Sequence, residues 1–144
     1  MTAAAPATPT APTTRTMRVG DVMHQGVLTC GRDESLATVA RLMADHRVHC
    51  IVVTDDLMHA LSLWGVVSDL DLVAAASVRE LEEQVAGAAA ATPALVIAPD
   101  DTLRRAAQLM VEHAVTHLVV VARGRPAGVI STLDIATALA DRRG

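Results

Sequence analysis

The chain states its main feature twice: Gly65-Val66-Val67-Ser68-Asp69-Leu70-Asp71 returns as Gly128-Val129-Ile130-Ser131-Thr132-Leu133-Asp134. At a constant offset of 67, residues 20–53 and 87–120 are identical at eleven positions, among them Gly20/Gly87, Leu36/Leu103, Met43/Met110, His46/His113 and Val52/Val119. From Trp64 to Ala75 the offset is 63, and six of twelve positions are identical. The change of offset falls between the two blocks, where a hairpin loop absorbs an insertion. Two copies at so long a period mark a tandem pair of domains, not a solenoid. Units of roughly 55 residues are marginal alone, so the two copies are expected to pack on one another.

Each copy carries the same order of local signals. In the first, Val27-Leu28-Thr29-Cys30 is a short apolar run suited to a strand. Ser35 then offers a hydroxyl to cap a helix whose apolar face is Leu36, Val39, Ala40 and Met43, at i, i+3, i+4 and i+7. A β-branched strand follows at His49–Thr54, then a polar loop, a strand at Leu63–Val67 and a second helical pattern from Ser68 with Leu70, Val73 and Ala74 on one side. The second copy repeats it: a strand at Ala94–Ile97, Thr102 as cap, a helix through Met110, a strand at His117–Val121, a turn at 123–126, a strand at Ala127–Ile130 and a helix from Thr132. Gly124 suits that turn because it accepts positive φ. Residues 1–17 are almost entirely Ala, Pro and Thr and are expected to be disordered; Ser77–Gln84 reads as a helical connector. The fold class is α+β.

Composition excludes several functions. A net charge of -4 leaves no basic footprint for nucleic acid. Trp64 is the sole aromatic residue, so a planar ligand must be held by aliphatic side chains and backbone rather than by stacking. Cys30 and Cys50 are too few for a disulfide framework and fit a reducing cytoplasm, and no segment reads as a signal peptide or a membrane span. His46 with His49, and His113 with His117, have metal-like spacing, but no third or fourth ligand recurs beside them, so no metal site is assigned. Neither a nucleophile–base pair at recognisable spacing nor a Gly-rich phosphate loop is present, which leaves no enzymatic reading.

The repeated Ser-x-x-Asp has two physical readings. It is close to a capping box, in which Ser68 or Ser131 satisfies the third amide of a helix while Asp71 or Asp134 reaches back to the cap. The same atoms make a ligand site: free amides and a hydroxyl at a helix start attract an anion, and the carboxylate can accept from two ribose hydroxyls. Spacing alone favours the cap, because caps are far commoner than ribose sites.

The β-α-β-β-α order, the paired Gly-Val-Val-Ser-x-x-Asp and Gly-Val-Ile-Ser-x-x-Asp, and the opening Val19-Gly20-Asp21-Val22-Met23 together resemble the CBS domain family, over residues 18–140. The resemblance implies two βαββα units, at 18–76 and 85–144 around the 77–84 connector, packed sheet to sheet with pseudo-two-fold symmetry. It implies up to two clefts for adenosine-containing ligands, dimerisation through helices, and sensing without chemistry. By the same resemblance, adenine would be edged by the first strand of each copy, residues 27–29 and 94–96 with Leu28, Thr29, Leu95 and Val96 among them, and by Cys50 or His117 at the start of the central strand, with Leu28 and Leu95 chiefly core. Family members that bind nucleotides often carry a basic residue before the Asp; here Leu70 and Leu133 stand there, and of the second basic position only His49 can be charged. AMP, adenosine or S-adenosylmethionine is therefore expected over ATP. The functional expectation is a stand-alone homodimeric module acting on a protein target in trans, with no required cofactor; the alternative is a ligand-independent dimeric scaffold.

Overall fold

The computed structural model describes residues 13–14, 16–57 and 60–141. The expected disorder of residues 1–12 and 15 lies outside the described residues. The elements are α1 (Val19–Val22), β1 (His24–Gln25), β2 (Thr29–Gly31), α2 (Leu36–His46), β3 (Cys50–Leu57), β4 (Ala60–Ser68), α3 (Asp69–Ala76), a 3-10 turn (Leu81–Glu83), α4 (Ala86–Ala89), β5 (Val96–Ile97), α5 (Leu103–His113), β6 (His117–Ala122), β7 (Arg125–Ser131) and α6 (Thr132–Asp141).

Two sheets result, in order β2-β3-β4 and β1-β7-β6-β5, with β2 parallel to β3, β5 parallel to β6, and both hairpins antiparallel. Their central strands read as unbroken apolar runs because both faces are covered. Ile51 and Val53 point to the helices of the first unit, Leu118 and Val120 to those of the second, and the intervening Val52 and Val119 meet between the sheets beside Val66. That alternation is the period-two pleat of a strand buried on both sides. The layers are therefore helix, sheet, sheet, helix.

The helix signals act as read. Ser35 Oγ accepts from the Ala37 amide at 3.1 Å, and Thr102 Oγ1 accepts from the Arg105 amide at 3.1 Å. The helices α2 and α5 both end on a left-handed residue, Arg47 (φ 54) and Ala114 (φ 52). Between β6 and β7, Arg123 and Gly124 take φ of 54 and 74, both positive as a tight hairpin turn requires.

Three expectations change. Leu70 and Val73 do share a side of α3, but that side faces outward, at 66 and 67 % exposure; Leu72 and Ala75 hold the helix to the core. The connector is not a helix but a single 3-10 turn, because Gln84 crosses to donate to the carbonyls of Ala75 and Arg79, ending the regular ladder. The segment just before Arg18 is fixed: the Leu103 amide donates to Met17 O at 3.0 Å, and the Arg104 amide to Thr14 O at 2.9 Å.

That last contact belongs to a larger exchange. Each copy's leading segment packs on the other copy. Val19, fully buried, completes the second core together with Met17, Val22 and Met23. Its counterpart at the offset of 67, Ala86, is equally buried in the first core with Ala89 and Ala90. The first arm pairs with β7 as β1, His24 opposite Val129; the second touches β4 through an antiparallel bridge between Val66 and Ala91. Trp64 pins the second arm, its indole N–H donating to Gly87 O at 2.9 Å, while the Arg32 guanidinium lies 3.6 Å over its ring.

The crossing explains the signature glycines. A Cβ on Gly65 would collide with the Ala91 carbonyl, and one on Gly128 with the His24 carbonyl. Gly65→Ala and Gly128→Ala should each lower stability by about 3 kcal/mol in urea unfolding, the upper end of overpacking costs. Gly31→Ala, with nothing within 4 Å of the new methyl, should stay within about 0.5 kcal/mol of the parent.

Candidate functional site

Both signatures are built as capping boxes. The Ser68 amide donates to Asp71 Oδ2 at 2.8 Å and the Asp71 amide to Ser68 Oγ at 3.2 Å. The second copy repeats this at 2.8 Å from Ser131 to Asp134 Oδ2 and 3.1 Å from Asp134 to Ser131 Oγ. Each carboxylate is thus held rigidly by one oxygen at the mouth of a cleft between the units.

The two clefts are unequal. Around Ser131 and Asp134 opens a space of about 620 Å3, walled by Val27, Leu28 and Val129, with Cys50 and His117 behind. Its pseudo-symmetric counterpart at Ser68 and Asp71, closed by Pro93, Ala94, Leu95 and Thr116, has only about 90 Å3. Small-molecule sites measure roughly 300–1,000 Å3, so only the larger cleft has room for a nucleoside. His117 lines both.

Of the residues singled out in the sequence, Ser131, Asp134, Leu28, His49, Cys50 and His117 come together in the large cleft, and Ser68, Asp71, Leu95 and His117 in the small one. Thr29 and Val96 line neither. Each lies one residue beyond the cleft wall on its short edge strand, turned outward and exposed. His49, the one cation expected to meet a phosphate, is engaged instead, its Nδ1 lying 3.1 Å from Asp69 Oδ2.

The back of the large cleft is uncharged. Burial first, and then the carboxylates of Asp69 and Asp134, push the Cys50 thiol up to about 12, so it stays protonated. Burial lowers the His117 pKa, against the pull of Asp69 and Asp134, and favours a neutral ring whose Nδ1 sits 2.8 Å from Thr116 Oγ1. A neutral thiol and imidazole beside Val27, Leu28 and Val129 suit an apolar heterocycle.

Several lining residues escaped the sequence reading, two of them with side chains able to carry charge. Arg47, at the left-handed end of α2, lines the large cleft, and its guanidinium has no hydrogen-bond or ion-pair partner among the described residues; its counterpart in the small cleft is Ala114. His24 Nε2 lies 2.7 Å from Asp134 Oδ1, and its counterpart across the offset of 67 is Ala91. The available signal was a break in the duplication: side chains present in one copy and absent from the other. Among the described residues no three His, Cys, Asp or Glu side chains converge on a metal position. No helix among them is long and apolar enough to cross a membrane.

The model of the CBS domain matches residues 19–78 and again 85–141. Hypoxic response protein 1 of Mycobacterium tuberculosis is 26% identical over 120 residues, covering 81% of this chain and 80% of that protein. A crystal structure of Hypoxic Response Protein I with two coordinated zinc ions superposes with TM-score 0.66 at 25% identity, over 84% of this chain and 98% of that one. A CBS domain pair solved with 5′-methylthioadenosine and S-adenosyl-L-methionine superposes with TM-score 0.73 at 18% identity, over 88% of this chain and 98% of that one.

The lowered His117 pKa has a sign. The folded protein takes up this proton at lower pH than the unfolded chain, whose value is near 6.5. The associated stability is present above that value and is lost as pH falls through the folded one. His117→Gln should therefore flatten the loss of stability between about pH 7 and 5 in urea titrations; an unchanged decline would assign that loss to other groups.

Proposed function

This chain belongs to the CBS domain family, and on that premise we propose that it is a regulatory module, without chemistry of its own, that binds one adenosine-type ligand in its larger inter-domain cleft. The observation that carries this is the pairing of a cleft of about 620 Å3 with a pre-positioned carboxylate, Asp134, at the start of α6. The heterocycle lies against Leu28, Val129 and the neutral His117 and Cys50. The ribose hydroxyls donate to Asp134. The free Arg47 at the rim receives an anionic tail. One guanidinium on an otherwise weakly charged rim suits a monophosphate, or the carboxylate of an S-adenosylmethionine-type ligand, better than a triphosphate. That ligand class is supported by the CBS pair of the same fold that binds 5′-methylthioadenosine and S-adenosylmethionine.

The site is single per chain. Calorimetric titration with adenosine, AMP and S-adenosylmethionine should give a stoichiometry of one, and a ligand at a hundred times its Kd should add about 2.7 kcal/mol of stability. Asp134→Ala should weaken binding roughly tenfold while costing about 1 kcal/mol of capping energy. Asp71→Ala should cost only the cap. Equal loss of affinity in both variants would overturn the single-site reading. No binding of any of these compounds would leave the scaffold reading.

The partner side of the proposal is a homodimer. The outer sides of α3 and α6 expose Leu70, Val73 and Leu133, each about two-thirds accessible: 66, 67 and 64 %. Contiguous exposed apolar groups on an otherwise polar surface mark association sites. Leu70→Glu with Leu133→Glu should convert a dimer to a folded monomer in light scattering, and a parent protein already monomeric would remove the dimer from the proposal. A ligand then alters output by favouring one dimer arrangement over another, and the target is a protein acting in trans.

A further inference from the structure

Asp134 differs from Asp71 in one respect. Both give Oδ2 to the cap, but Asp134 Oδ1 also has a close ion-pair contact, with His24 Nε2 at 2.7 Å. The carboxylate is largely buried, at 11% side-chain exposure, whereas the ring is 78% exposed. His24 reaches it because β1 runs antiparallel along β7, opposite Val129, five residues before Asp134. In the other copy the arm delivers Ala91 to the equivalent place, opposite Val66, and Asp71 has no such ring.

A vicinal diol needs both carboxylate oxygens, or at least the one that the cap leaves free. In this cleft that oxygen is taken. The donor that takes it sits on the surface, so it can turn into water without opening the core.

We propose that His24 is the specificity-determining residue of the large cleft: its imidazole occupies the Asp134 oxygen that a ligand's diol must take, so diol ligands bind by displacing it. This rests on the adenosine-type reading of the cleft. His24 discounts the contribution of the diol to affinity. It does not discount the heterocycle, whose slot against Leu28 and Val129 lies elsewhere in the cleft.

The test compares adenosine with 2′,3′-dideoxyadenosine, by calorimetry, on the full chain and on His24→Ala. One close contact to the carboxylate removed as competitor corresponds to about a tenfold change. Adenosine should therefore bind His24→Ala about tenfold more tightly than the parent, while dideoxyadenosine binds both within about twofold. Any general effect of the substitution on the cleft falls on both nucleosides and cancels in their ratio. An unchanged ratio, or tighter binding of both compounds alike, overturns the proposal.

A ligand-free measurement separates this from failure of the adenosine reading. Urea unfolding of the parent, His24→Ala, Asp134→Asn and the double variant forms a cycle whose coupling reads the contact directly. Coupling with no nucleoside binding to any variant sinks the adenosine reading and keeps the contact. Absence of coupling sinks the His24 proposal even where adenosine binds.

Discussion

Each half of this chain is completed by the leading segment of the other, and the rest of the structure depends on that exchange. Val19 and Ala86 are wholly buried in cores to which they do not belong by sequence. A unit of this size buries too little apolar surface to stand alone. Swapping arms lets each unit add a covering turn of helix, α1 or α4, and leaves neither sheet free to face water on its inner side. The valines Val52, Val66 and Val119 that join the sheets then lie in the middle of one shared core, so unfolding either unit strips cover from both.

The same exchange makes the clefts and makes them unequal. Each arm passes over the start of the signature, which is why a glycine stands at 65 and at 128, and continues along one wall of a cleft. In the larger cleft the arm residues are His24, Gln25, Gly26, Val27 and Leu28; in the smaller, Ala91, Pro93, Ala94 and Leu95. The two copies share their framework because packing holds it, and they differ where their arms meet the cleft. That asymmetry, not the signature, decides which cleft has room.

The duplication exposed most of this fold in advance because identical residues at a fixed offset mark positions under the same constraint. Leu36/Leu103 and Met43/Met110 are buried in both copies, and Ser35 and Thr102 cap helices of equal length. What stayed hidden is tertiary. Gly20 and Gly87 match, but their sequence contains no hint that Gly20 packs on Pro99 and Gly87 on Arg32, in the opposite unit. The outward turn of Leu70 and Val73 was hidden too, since a helix with apolar residues on two sides has no unique inner face until it meets its sheet. Among the site residues, the sequence located the carboxylates and missed Arg47 and His24. Both lie outside the repeated signature, and they differ from their counterparts, Ala114 and Ala91.

The two readings of Ser-x-x-Asp are compatible in one carboxylate. Capping consumes a single oxygen: Oδ2 of Asp71 and of Asp134 each accepts one amide. A carboxylate free to rotate would lose side-chain entropy on meeting a diol. One already fixed by its cap has lost that entropy in folding, and it presents its second oxygen in a defined direction. An acid fixed by its cap is thus pre-organised for the ligand role proposed for it. Where the second oxygen is unclaimed, as in Asp71, the cleft is too small to use it; where the cleft has room, the oxygen is held by His24. Space and an open acceptor are thus separated between the two copies, and only movement of an exposed imidazole brings them together in one.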